Sequence, residues 1–150
     1  MDSFVEKNDH ERARLRSLVE RLGDDELRRK VNDHWTVAGI LGHIAFWDAR
    51  ALLLADRLVG GVPFTPSEVE PDDPSWINDS ARPLIHAIAP REAARTALRI
   101  AEETDGRMAA LTPEQVKKTW PADQTSPCNP LRANHRREHL NDIEAALRRA

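Results

Sequence analysis

Four stretches of this chain repeat apolar residues every three or four positions, the spacing that lines one face of an α-helix. In the first, Leu15, Leu18, Val19 and Leu22 share a face, while Arg12, Arg14, Arg16, Glu20 and Arg21 point to water. Two capping boxes compete for its start, Ser3 with Glu6 and Asn8 with Glu11, and Gly23 is placed to end it. Residues 24–34 are polar and without a clear period, which predicts a connection with one helical turn. The second stretch opens at a Thr36 N-cap, runs through Val37, Ile40, Leu41, Ile44, Trp47, Ala51 and Leu54, and fades at Gly60 and Gly61. At about 100° per residue, His43 falls between Ile40 and Trp47 on the apolar side of that helix. A polar ring there needs a partner, since burying it unpaired costs about 1–3 kcal/mol.

Pro63, Pro66, Pro71 and Pro74 exclude a regular helix over 61–75 and predict a long crossover. Residues 76–88 then read as a short helix that lays Trp76, Leu84 and Ile88 on the bundle. Pro90 opens the third long helix in its first turn, with a face of Ala94, Leu98, Ala101, Met108 and Leu111. Thr112, Pro113 and Gln115 supply a cap, an N1 proline and a box residue for one further turn. An irregular stretch with three prolines, 120–130, precedes a last helix over 131–149 that buries Leu140, Ile143 and Leu147. No stretch alternates as a strand would, and no internal repeat is visible. The pattern predicts an all-α fold, a four-helix bundle with a long crossover connection between the second and third long helices.

Length and composition narrow the class. At 150 residues the chain suits a single domain, 1–150. Its 22 basic and 25 acidic residues are nearly balanced, which argues against a nucleic-acid partner. Cys128 is the one cysteine, so no intrachain disulfide forms, as in a reducing cytoplasm. The N-terminal residues have neither the basic nor the apolar region of a signal peptide. The greasiest run is interrupted by Asp48, Arg50, Asp56 and Arg57, and reads as a core helix rather than a membrane span. The expectation is a soluble cytoplasmic protein with no membrane partner.

The candidate chemistry lies in histidines. His135 and His139 are four apart on the last helix, so they project from one face in the otherwise apolar stripe Leu131, His135, His139, Ile143. Two imidazoles at that spacing suit one metal ion, and His43 on the facing helix offers a third. Three protein ligands with an open position make a catalytic type of site, where water or a thiolate would complete the coordination. The bland alternative is a set of histidines at a bundle rim. His135-x-x-Glu138-His139 also matches the inverted zincin motif, but the distant third ligand of that family has no counterpart eleven residues from the last residue. Glu138 reads as a solvated partner of Arg136, with a supporting role at the ion as the alternative; Asp142 is placed to orient an imidazole N–H. Asp48 lies about 140° around the helix from His43, so it is expected to pair with an arginine and not to share the ion. Asn78 is placed to reach the cavity, His10 and His34 read as exposed, His86 as surface or core filler, and Cys128 as an inert thiol.

Trp35-Thr36-Val37, Ile40-Leu41-Gly42-His43 and Trp47-Asp48, followed near the C-terminus by His135 and His139, resemble the two signature blocks of the DinB-like (DinB/YfiT-like) superfamily of metalloenzymes. The similarity extends through Trp76-Ile77-Asn78 and the helix after Pro90. That resemblance implies an up-down-down-up bundle, a three-histidine site at His43, His135 and His139 for nickel or zinc, and a homodimer. Related branches include hydrolases and thiol-dependent transferases of the bacillithiol and mycothiol kind, with a low-molecular-weight thiol as co-substrate. The implied function is a metal-dependent hydrolase or thiol transferase acting on a small molecule. The alternative is a non-catalytic metabolite-binding or resistance protein of the same fold.

Overall fold

The computed structural model describes residues 3–65, 73–119 and 128–149. Within them the chain is all-α: α1 (Phe4–Arg21), α2 (Asp24–Arg28), α3 (Val37–Val59), α4 (Ser75–His86), α5 (Pro90–Ala109), α6 (Pro113–Thr119) and α7 (Ala133–Arg148). The prolines at 66 and 71 and the stretch 120–127 lie outside the described residues.

Local chemistry sets the helix ends. The Ser3–Glu6 box wins at α1: Glu6 N–H donates to Ser3 Oγ and Ser3 N–H to Glu6 Oε2, each at 3.2 Å. Asn8, the competing cap, is buried inside the helix instead. Gly23 follows the end of α1 but in extended backbone, φ −83°, and serves as the N-cap of α2; no left-handed cap forms there. Thr36 caps α3 by accepting from Gly39 N–H at 2.9 Å, Pro90 occupies the first turn of α5, and Thr112 and Gln115 close their box ahead of α6.

The four long helices form a ring of contacts, α1 on α5, α5 on α3, α3 on α7 and α7 on α1. Cross-links give their directions. Thr104 donates to the Asp48 carbonyl and Arg107 pairs with Asp56, so α3 and α5 run the same way. Arg12 reaches Asp105 while Arg16 reaches Glu102, so α1 opposes α5. Asn8 meets residues 130–133 and Arg14 meets Glu144, so α7 runs with α1. These senses match the up-down-down-up order. Val37–Val59 is long and apolar enough by composition to cross a membrane, yet most of it is buried within the bundle.

The interior has two apolar clusters. One gathers Leu15, Leu18, Leu41, Ile44, Ala97, Leu140 and Ile143; the other gathers Ala51, Leu54, Met108, Leu111 and Cys128. Between them along the helices lies a buried polar layer of Asn8, Glu11, Asp48, Thr104, Asp105 and Arg136. Arg136 bridges Asp48, at 3.0 Å, and Asp105, at 2.8 Å, while Arg132 and Arg12 take the outer sides of the two carboxylates.

The face of α4 differs from the sequence expectation. Trp76, Leu84 and Ile88 are 67%, 76% and 42% exposed, whereas Ile85 is 8% exposed and packs on α3. Two stripes of similar hydrophobicity competed, and close approach decided between them. Gly42 has no side chain, so Ile85 Cγ2 occupies the space its Cβ would take, 2.6 Å away, and Asn78 on the same side bonds Trp47.

Candidate metal centre

His43 projects from the α3 face toward α7, and His135 and His139 project from successive turns of α7 toward α3. Their Nε2 atoms form a near-equilateral triangle: 3.2 Å from His43 to His135, 3.1 Å from His43 to His139 and 3.2 Å from His135 to His139. The rings meet at 4.6–5.1 Å between centroids, two pairs nearly edge-on. Trp35 leans on His43 with the ring centroids 5.4 Å apart. The sequence brought these three histidines forward as a set, and the structure brings the same three together.

Electrostatics keep the cluster neutral. Burial pushes the His43 pKa down to about 4, with the neighbouring His139 acting in the same direction. Burial pushes His135 further, to about 2, helped by His139, His43, Arg132 and Arg136. His139 is lowered by burial against the opposing pull of Glu138 and Asp142. Each neutral ring offers at Nε2 either one hydrogen or one lone pair. Ring-to-ring hydrogen bonds therefore cannot satisfy all three nitrogens of a triangle at once. Three lone pairs aimed at one point are what a cation takes. The observed edges fall between the roughly 2.9 Å of an octahedral face and the roughly 3.3 Å of a tetrahedral one built on ~2.0–2.1 Å bonds. The donor set therefore fits a divalent metal ion. No other group of three or more histidine, cysteine or carboxylate side chains with that capacity occurs among the described residues.

The triangle borders a cavity of about 580 Å³, whose wall includes Trp35, Ile40, Trp47, Asn78, Arg132 and Glu138. Asn78 stands there as the sequence suggested and accepts from Trp47 Nε1 at 2.8 Å. Glu138 and Asp142 lie on the exposed rim. The expected pairing of Glu138 with Arg136 does not form, because Arg136 is fully buried between Asp48 and Asp105. Asp142 makes no hydrogen bond to an imidazole. Asp48 pairs with arginines, as expected, and stays away from the triangle. His86 lies outside the cavity, edge-on to Trp35 at 5.3 Å, and His10 and His34 are exposed. Cys128 is buried with its pKa pushed up to about 11 by desolvation, an inert thiol.

Sequence reasoning missed the ionic layer behind the histidines. Arg136 occupies the apolar stripe of α7 with Leu140 and Ile143, and Asp105 that of α5 between Ala101 and Met108. A charge in a core stripe was the available signal. It also missed Arg132 and the asparagines 32, 129 and 134, which reach the cavity from loops and a helix start that carry no period.

Among known proteins, the profile of the family described as the DinB superfamily matches residues 8–143. No curated protein and no solved structure matches the chain.

Proposed function

The chain belongs to the DinB superfamily, and from that membership and its three converging imidazoles we propose a metal-dependent enzyme that acts on a small molecule by hydrolysis or by transfer to a thiol. His43, His135 and His139 would hold a divalent ion, zinc or nickel, through Nε2. The observation that carries this reading is the 3.1–3.2 Å triangle of neutral imidazole nitrogens beside an open cavity. A divalent ion there supplies a Lewis acid that favours the conjugate base of water or a thiol near neutral pH. The remaining work falls to the chain's own side chains. Trp35 fixes the His43 ring, Asn78 fixes Trp47 in the wall, and Glu138 and Asp142 place acceptors for a proton at the rim.

Metal analysis of the purified protein tests the site: about one equivalent of ion per chain is expected, falling to near zero in a His43→Ala, His139→Ala double variant. Unchanged metal content in that variant would overturn the ligand assignment. A screen of low-molecular-weight thiols against electrophilic substrates then tests turnover; stoichiometric capture without turnover would indicate a sequestering protein instead. The reading includes a homodimer, supported by the apolar surface that Trp76 and Leu84 leave on α4 and Ile88 just after it. Sedimentation showing only a 17.0 kDa species would remove that part.

A further inference from the structure

Apart from Glu138 and Asp142 on its rim, the polar wall of the cavity is one-sided in its hydrogen bonding. Four asparagines line it, and each spends its Oδ1 on a protein donor. Asn32 Oδ1 accepts from the N–H groups of His34 and Trp35, each at 2.9 Å. Asn78 Oδ1 accepts from Trp47 at 2.8 Å, Asn129 Oδ1 from Leu131 N–H at 2.9 Å, and Asn134 Oδ1 from Arg137 at 2.9 Å. These donors assign the amide orientations, because an N–H can only point at the oxygen. All four Nδ2 groups are thereby left as donors, with no protein acceptor among the described residues.

Arg132 adds a charge of the same sense. Its Nε is tied to Asp48 at 2.9 Å and its Nη1 rests 3.5 Å from the Asn129 carbonyl, while Nη2 has no acceptor among the described residues. The side chain is 11% exposed and lines the cavity with His135, one turn along the helix. Glu138 and Asp142 give the rim on the later turns of α7 the opposite sign, which confines an anion to the Arg132 end.

We infer that the cavity selects small molecules bearing a carboxylate, received by Arg132 Nη2 and the neighbouring Asn129 and Asn134 amides while the reacting group lies at the three histidines. A single half-engaged guanidinium among neutral amides matches one planar monoanion. This deepens the reading above by naming the substrate class of the same site.

The probe is 3-mercaptopropionate against its neutral amide, 3-mercaptopropanamide, at pH 7. Metal-free protein, prepared by chelation, is titrated with each while following tryptophan fluorescence, to which Trp35 and Trp47 in the cavity wall contribute. The carboxylate is expected to bind at least tenfold tighter, as charge-assisted hydrogen bonds outweigh neutral ones. Arg132→Gln should bring the two affinities within about twofold. Asn134→Asp, on the helix surface, keeps the acceptor for Arg137 and removes the amide donor. It should weaken the carboxylate at least threefold and leave the amide unchanged, and it decides the matter should Arg132→Gln unfold. Equal affinities in the unaltered protein, or a preference that survives the substitutions, would overturn the inference. Cobalt-loaded protein repeats the comparison through the thiolate-to-cobalt absorption band, where the same preference is expected. A protein that takes up no cobalt defeats the metal-enzyme reading, while the metal-free titration still decides carboxylate selection.

Discussion

Arg136 of α7 donates through Nε to Asp48 of α3 at 3.0 Å, with both side chains wholly removed from solvent. The same guanidinium holds Asp105 of α5 through two bonds of 2.8 Å. One side chain thus ties three helices together beside the histidine triangle. Burial alone would lower its pKa, but the two carboxylates outweigh that and keep it above the ordinary value.

Arg136→Met leaves Asp48 and Asp105 buried and short of a cation. Breaking a buried pair in this way costs about 3–5 kcal/mol. Urea unfolding should show a loss of that size. Replacing Asp48, Asp105 and Arg136 together by apolar residues of similar volume should cost less than Arg136→Met alone. A single variant within 1 kcal/mol of the parent would remove the layer from the stability account.

Gly42→Ala sets two effects against each other. Alanine gains about 1 kcal/mol of helix propensity, but its Cβ would stand 2.6 Å from Ile85 Cγ2. Overpacking of this kind costs about 1–3 kcal/mol, so the variant should be destabilised on balance. In an Ile85→Ala background the clash is absent and the same change should become neutral or stabilising. Thermal melts of the four proteins measure the coupling; strict additivity would contradict the Gly42–Ile85 contact.

In metal-free protein, stability should fall with acid. The folded His43 pKa, about 4, lies below the ordinary 6.5, so the unfolded chain binds the proton more readily between those values. The stabilisation is present above about pH 6.5 and is lost as pH drops toward 4, on the order of 3 kcal/mol for this group. His135 continues the loss to lower pH. His43→Gln should flatten the profile between pH 6.5 and 4 in denaturant titrations. An equally steep profile in the variant would mean that other groups govern it.

Cys128 has no exposed surface, and its thiol faces the Ala51 carbonyl at 3.7 Å. With its pKa raised to about 11 by burial, little thiolate exists at pH 8. An aromatic disulfide reagent should react with less than a tenth of the thiol in an hour under native conditions, and with all of it in denaturant. Full native labelling within minutes would show that the apolar cluster of Ala51, Leu54, Met108, Leu111 and Cys128 opens readily.

The bundle and the triangle were legible for one reason: periodicity names the inward face, and His43, His135 and His139 all fall on it. α4 was misread by the same logic, because Trp76, Leu84 and Ile88 form a stripe as convincing as that of Ile77, Ala81 and Ile85. Gly39 and Gly42, which admit α4 so closely, select the second stripe, and hydrophobicity alone does not weigh close approach. Arg136 was assigned to solvent because charge outweighed position, although its place above Leu140 and Ile143 in the stripe pointed inward. Asn32 and Asn129 reach the cavity from loops, for which no spacing rule exists.

Asn8 belongs to α1, yet its Nδ2 donates to the Pro130 carbonyl at 2.8 Å and its Oδ1 receives the N–H groups of Arg132 and Ala133 at 2.8 and 2.9 Å. The histidine-bearing helix thus borrows its N-terminal cap from a residue more than 120 positions earlier. Such a cap is unavailable until the bundle has closed, and it is lost whenever α1 departs. The start of α7 therefore does not fray on its own. Proton exchange at the Arg132 and Ala133 amides becomes a clock for opening of the whole bundle, and the triangle beside them inherits that clock.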